Sequence, residues 1–174
     1  MADVPDAIVL KRDRDLEGRR HEIWIRRGLF ALLPLLSLVA LTNALGQHPT
    51  TSSKTASAAT LQVYGSPRLR SGLLFEARIR IHAHSEIERA RVVLGPGWTQ
   101  GITLNSIEPG PVGEASADGR LSLELGRVPA SQVYVLYVEG QVNGTTVGRR
   151  SADVTLYDGA NRLLEVHRTL TIFP

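Results

Sequence analysis

Residues 28–46 read GLFALLPLLSLVALTNALG, an apolar run without a single charge. At 1.5 Å per residue it makes about 28 Å of helix, close to the thickness of bilayer hydrocarbon. Pro34, Ser37, Thr42 and Asn43 interrupt it without forming a polar stripe. A core helix of a globular domain shows such a stripe. The run therefore predicts one transmembrane α-helix, and lipid tolerates the proline within it.

Beyond residue 60 the period changes. From Leu73 to His84, Phe75, Ala77, Ile79, Ile81 and Ala83 alternate with Glu76, Arg78, Arg80, His82 and His84. Period two predicts a strand with one buried and one wet face. Further strands are expected at 87–94, 101–107, 120–125, 132–142, 146–157 and 162–173. Asp118-Gly119, Asn143-Gly144 and Asp158-Gly159 punctuate them, and the Asn-Gly pair predicts a type I′ hairpin. Residues 132–142 are almost continuously apolar, as a central strand requires. Short strands with turn punctuation and no helical period predict an all-β fold, an Ig-like antiparallel β-sandwich, with a small barrel as the alternative. The expected organisation is a cytoplasmic tail at 1–27, a transmembrane helix at 28–46, a flexible Ser/Thr-rich linker at 47–60 and an extracytoplasmic sandwich at 61–174.

Charge sets the expected topology. Of the 20 basic and 17 acidic residues, 7 and 6 fall within residues 1–27. Arg19, Arg20, Arg26 and Arg27 precede the apolar run, while Lys54 is the one cation in the fifteen residues after Gly46. Positive-inside bias puts the amino end in the cytoplasm and residues 47–174 outside a plasma membrane. Trp24, Arg26 and Arg27 are the expected membrane-interface residues. The alternative is a signal peptide cleaved after Gly46, at Ala44-x-Gly46; the long amino-terminal region and long apolar run favour an uncleaved anchor. Interspersed acids in the tail make its cations topology signals rather than a lipid-headgroup cluster. The downstream charges are scattered, so the basic pI of 9.7 marks no nucleic-acid stripe, and no nucleic-acid partner is expected.

The absence of cysteine excludes disulfides, iron–sulfur clusters and thiolate chemistry. No nucleophile elbow, Walker loop, zincin or dinucleotide motif is present, so the expectation is no enzyme and no cofactor. Two candidate sites remain. His82 and His84, with Glu86, share a strand face, and His167 on another strand would complete an imidazole metal site; solvated histidines on a wet face are the plainer reading. Trp98 lies among Gly95, Pro96 and Gly97, with Asn105 and Glu108 following. These three form a candidate partner-binding set, because Trp is favoured at interface hot spots. The competing reading folds Trp98 back as a lid on the sandwich.

The segments GLLFEARIRI, GPGWTQGITLNSIEP, GRLSLELG, QVN and RTLTIFP resemble a family of bacterial, mainly actinobacterial, single-pass membrane proteins. More loosely, residues 61–174 are similar to extracytoplasmic Ig-like domains of the CARDB type. The resemblance implies fold and location and transfers no functional residue. The resulting expectation is a membrane-anchored extracytoplasmic Ig-like interaction module, an accessory subunit whose partners are the lipid bilayer and an envelope or membrane protein. The alternatives are a metal- or ligand-binding sandwich and a purely structural envelope protein.

Overall fold

The computed structural model describes residues 20–42 and 46–174, in two units, one holding a helix and the other running from Gly46 to Pro174. The helix, α1, spans Arg20–Leu41. It takes in residues 20–27 of the expected tail as well as the apolar run from Gly28. Residues 1–19 of the expected tail, and residues 43–45 at the far end of the expected span, lie outside the described residues. The stretch His21–Leu41 is long and apolar enough to cross a bilayer. Its large side chains are exposed on every side, Leu29, Phe30, Leu33 and Leu38 among them. Polar groups inside it are satisfied locally: Ser37 Oγ donates to the Leu33 carbonyl at 3.0 Å and Thr42 Oγ1 to the Val39 carbonyl at 2.7 Å. Local satisfaction is what a span in hydrocarbon requires.

The second unit is all β. Its strands are β1 (Thr50–Thr55), β2 (Ala59–Gly65), β3 (Arg68–Arg70), β4 (Leu74–Ala83), β5 (Ile87–Leu94), β6 (Ile102–Glu108), β7 (Gly113–Ala117), β8 (Arg120–Val128), β9 (Val133–Val142), β10 (Gly148–Ser151), β11 (Val154–Asp158), β12 (Asn161–Val166) and β13 (Thr169–Phe173). Two five-stranded sheets run β1-β2-β4-β9-β6 and β12-β11-β5-β8-β7, and a three-stranded sheet runs β10-β13-β3. Within the first two, β2-β4-β9-β6 and β12-β11-β5 match the ABED and GFC sheets of the immunoglobulin sandwich. All pairings are antiparallel except β13 with β3. The inward residues Leu61, Val63, Ile79, Ile81, Leu136 and Val138 of the first sheet join Val92, Leu94, Leu123, Val154 and Leu156 of the second in one buried cluster. Period two along β4 is realised in full: Ala77, Ile79, Ile81 and Ala83 are buried, and Arg80 and His82 are exposed.

Three expectations are corrected here. Residues 47–60 are not a flexible linker, since β1 pairs with β2 along its whole length, from Thr50↔Gly65 to Thr55↔Thr60. Ladder bonds need no apolar side chain, threonine is a good strand former, and the chain turns where Ala56 N donates to the Ala59 carbonyl at 2.8 Å. Asn143-Gly144 makes no type I′ hairpin, because β9 lies between β4 and β6 while β10 belongs to another sheet. Finally, 146–157 and 162–173 are each two strands, broken side by side at Asp153 and at His167-Arg168.

That double break is a corner where a strand pair changes sheet. Asp153 Oδ1 accepts the Arg168 backbone N–H at 3.0 Å, and the Arg168 carbonyl accepts Ala152 N–H at 2.8 Å. The half-buried Arg168 side chain then reaches across the sandwich. Its guanidinium donates to the carbonyls of Val63 at 2.5 Å, Gly65 at 2.8 Å and Thr50 at 3.2 Å, and to Ser52 Oγ at 3.2 Å. Edge strand β1 is thereby tied to the corner.

Candidate functional site

The wet face of the first sheet carries the chemistry. Directly opposed residues of an antiparallel pair share a face, so register places side chains in rows. One row runs Thr51, Tyr64, Arg78, Tyr137, Glu108 across β1, β2, β4, β9 and β6. Its neighbours are Gln62, Arg80, Val135 on one side and, beyond them, Thr60, His82, Val133. On the other side Glu76 faces Glu139, whose Oε2 accepts Ser106 Oγ at 3.1 Å. The Arg78 guanidinium lies 5.0 Å from the Tyr64 ring centroid. Tyr64 and Tyr137 are 38% and 41% exposed, and Val133 50%, which is substantial for side chains of this size on a sheet. The centre is thus a guanidinium flanked by two phenols, bordered by valines and by a carboxylate end.

Glu108 reaches this row because of a bulge. The β6–β9 register slips between Leu104 and Ser106, leaving Asn105 unopposed. A one-residue slip moves every later side chain to the other face. Ile102 and Leu104 therefore point inward, while Ser106 and Glu108 join the wet face. Asn105 is exposed at the bulge, beside a groove shared with Gln47, Leu74, Glu76 and Glu139.

Trp98 is not part of the surface, which corrects its place in the partner-binding set. It is 6% exposed, its indole N–H donates to the Ala152 carbonyl at 2.9 Å, and its ring centroid lies 6.4 Å from that of Phe75. The 3-10 turn Pro96–Trp98 folds it back as a lid, and the large apolar ring gains more from burial than from solvent. Beneath it lies a cavity of about 20 Å³, bordered by Leu69, Phe75, Leu170 and Arg168, room for about one water.

The histidines do not assemble as expected. The rings of His82 and His84 stand 5.1 Å apart, edge to face, and His84 Nε2 lies 3.1 Å from Thr60 Oγ1. Glu86 is taken by Arg127 at 2.6 Å; that hydrogen bond holds the Glu86 carboxyl below its usual range. His167 sits at the corner, next to Arg168, whose guanidinium grips Val63 and Gly65. His84 is at the Thr60 end of β2. Among the described residues the group that comes within metal-binding range includes His167 but neither His82 nor His84, so His167 does not complete a site with them. Its neighbours are Asp153, 3.4 Å from Nδ1, and Glu165, 3.8 Å from Nε2. These three side chains come within metal-binding range of one another among the described residues. Both carboxylates are already engaged, Asp153 by Ser151 and by Arg168 N–H, and Glu165 by Arg162 at 2.5 Å. Burial pushes the Asp153 carboxyl up, but those hydrogen bonds and the nearby imidazole outweigh it and leave it below the usual range.

In α1, Trp24 is 70% exposed and the Arg27 guanidinium lies 5.4 Å from its ring centroid. Trp24, Arg26 and Arg27 thus share the first two turns of the helix.

No family model matches the chain, and no curated protein matches it. Among solved structures it is similar to the CARDB domain of a Pyrococcus furiosus protein, determined in complex with di-metal ions. The identity is 12%, the match covers 69% of this chain and 98% of that one, and the TM-score is 0.40.

Proposed function

We propose that this chain is a membrane-anchored, non-enzymatic interaction module. In this reading α1 spans a plasma membrane with its amino end in the cytoplasm, and the β domain docks outside against an envelope or membrane protein. The observation that carries it is the row Tyr64–Arg78–Tyr137–Glu108 on a wet sheet face. Tyrosine and arginine dominate interface hot spots. Here they are mounted on paired strands, so little side-chain freedom remains to be lost on docking. Trp24, Arg26 and Arg27 hold the amino end of the span at the headgroup level.

Two experiments test the reading. The chain has no cysteine, so single cysteines report topology cleanly. Val147→Cys is expected to react with a membrane-impermeant maleimide on intact cells, and Ala2→Cys only after permeabilisation; the reverse pattern inverts the topology. A photocrosslinking residue at Tyr137 is expected to give a discrete membrane-protein adduct that Arg78→Glu abolishes. The same residue at Glu114, in the other sheet, is expected to give none. Equal labelling at both positions, or an adduct indifferent to Arg78→Glu, removes the docking face.

A further inference from the structure

The second sheet carries a groove of about 380 Å³ bordered by Arg89, Arg91, Val112, Glu124, Gly126 and Gly159. It exists because the β5–β8 ladder is broken there. Ala90 faces Gly126 but Arg91 faces Glu124, with register shifts on both sides of Ala90. Gly126 takes a φ of +78°, a backbone shape that suits glycine. A bulge of this kind re-aims side chains and recurs beside binding sites.

Both arginines are held in place without a carboxylate. The Arg91 guanidinium lies 4.8 Å from the Tyr157 ring centroid. Its Nε is shut off from solvent and has no hydrogen-bond partner. Buried donors are nearly always satisfied, so this orphan is unusual; closed to water, it is closed to a ligand as well, and the Arg91 donors left for the groove are its terminal amino groups. The Arg89 guanidinium rests on the turn after β11, where a Cβ on Gly159 would come within 3.0 Å of it. The Arg89 backbone contributes to the same turn: its N–H donates to Asp158 Oδ1 at 2.9 Å and its carbonyl accepts Gly159 N–H at 2.9 Å. Asp158 thus has one carboxylate oxygen on the Arg89 backbone and forms no salt bridge with the Arg89 guanidinium. Among the described residues the ion pairs of arginine are Arg127–Glu86 and Arg162–Glu165, so neither Arg89 nor Arg91 is neutralised by a salt bridge. Glu124 is the one acid bordering the groove, and its carboxylate leans over Gly113.

We propose that this groove binds the oxyanion group of a small ligand, a phosphate or a carboxylate, between Arg89 and Arg91. Two guanidiniums offer the forked, planar donor sets that such groups take up bidentately. Stacking on Tyr157 and packing on Gly159 fix both forks in advance, which reduces the ordering cost of binding. Val112, 78% exposed at the rim, gives an apolar contact for whatever carries the anion. The site lies on the sheet opposite the docking face and does not depend on it.

The test uses the full chain in detergent micelles, titrated at constant ionic strength with inorganic phosphate, with acetate, and with chloride as the screening control. The readouts are calorimetry and the Nε–H signal of ¹⁵N-labelled arginine. Saturable one-to-one binding of phosphate or acetate, with the Arg91 signal shifting, is expected, and the stronger arm names the oxyanion. Arg89→Gln, at an exposed side chain, is expected to weaken binding about tenfold, the loss of one charge-assisted pair. Glu124→Gln is expected to tighten it severalfold, and Arg91→Lys to weaken it although the charge is kept. Thermal melting of each variant separates loss of the site from loss of the fold. Binding no different from chloride, or unchanged by Arg89→Gln in a folded protein, overturns the proposal.

Discussion

The Arg168 guanidinium donates to the Gly65 carbonyl at 2.8 Å, across 103 positions of sequence. The same group holds Val63, and burial lowers its pKa. Replacing it by methionine keeps the stem and strands these carbonyls without a donor. Leaving a buried acceptor unsatisfied costs about 1–3 kcal/mol, so Arg168→Met is expected to destabilise the β domain by about 2–3 kcal/mol. Arg168→Lys should recover only part, since one ammonium lacks the fork. Urea unfolding followed by Trp98 fluorescence, in a Trp24→Phe background, measures this; a loss below about 0.5 kcal/mol removes the clamp.

Trp98 provides a second measurement. Its burial and its bond to Ala152 predict that, in the same background, acrylamide quenches it weakly in the folded state and freely in urea. Truncating a buried Trp to alanine costs about 3–5 kcal/mol, and Trp98→Ala should fall in that range. Trp98→Phe should cost less, having lost mainly the indole donor. Free quenching of the folded protein would return Trp98 to the surface.

Acid should act through Asp153. Its folded-state pKa lies below the ordinary aspartate value, so its contribution is fully present above that ordinary value. It is lost as pH falls through the lower, folded-state value. Urea midpoints recorded from neutral pH down to about pH 2 should therefore decline on the acid side. Asp153→Asn should flatten that decline. An unchanged acid slope in the variant assigns the effect to other carboxylates.

Strand β1 makes a prediction that a loose spacer does not. Amides of Thr50–Thr55 that bond to β2 should exchange with deuterium far more slowly than free coil. Arg168→Met should speed them selectively over amides of the central strand β9. Protection lost throughout Thr50–Thr55 in the unaltered protein would restore the flexible linker.

Sequence patterning reveals only part of this molecule. The strands of 73–84 and 132–142 are legible because strict alternation, or a nearly continuous apolar run of that length, fits little else than a strand in a domain of this composition. β1 is hidden by its polarity: Ser52 Oγ and the Thr50 carbonyl serve as acceptors for Arg168, a partner over 100 residues away. The corner is hidden for the same reason, since Asp153 and Arg168 look like ordinary wet positions until the two breaks lie side by side. Of the candidate sites, Glu108 reads locally as a loop residue. Its place in the tyrosine row depends on the Asn105 bulge, which no local pattern announces. Tyr64, Arg78 and Tyr137 escape a sequence reading because each looks unremarkable alone and only register unites them.

The grip of Arg168 on Thr50 and Ser52 has a mechanical consequence. Tension arriving from the chain ahead of Thr50 enters the sheet at the open end of the β1–β2 hairpin, the end where Thr50 faces Gly65. A bare hairpin pulled there peels apart one rung at a time. The guanidinium binds both strands at that first rung and roots them in the far corner. A pull from that side is shared with the whole sandwich before the edge can unzip.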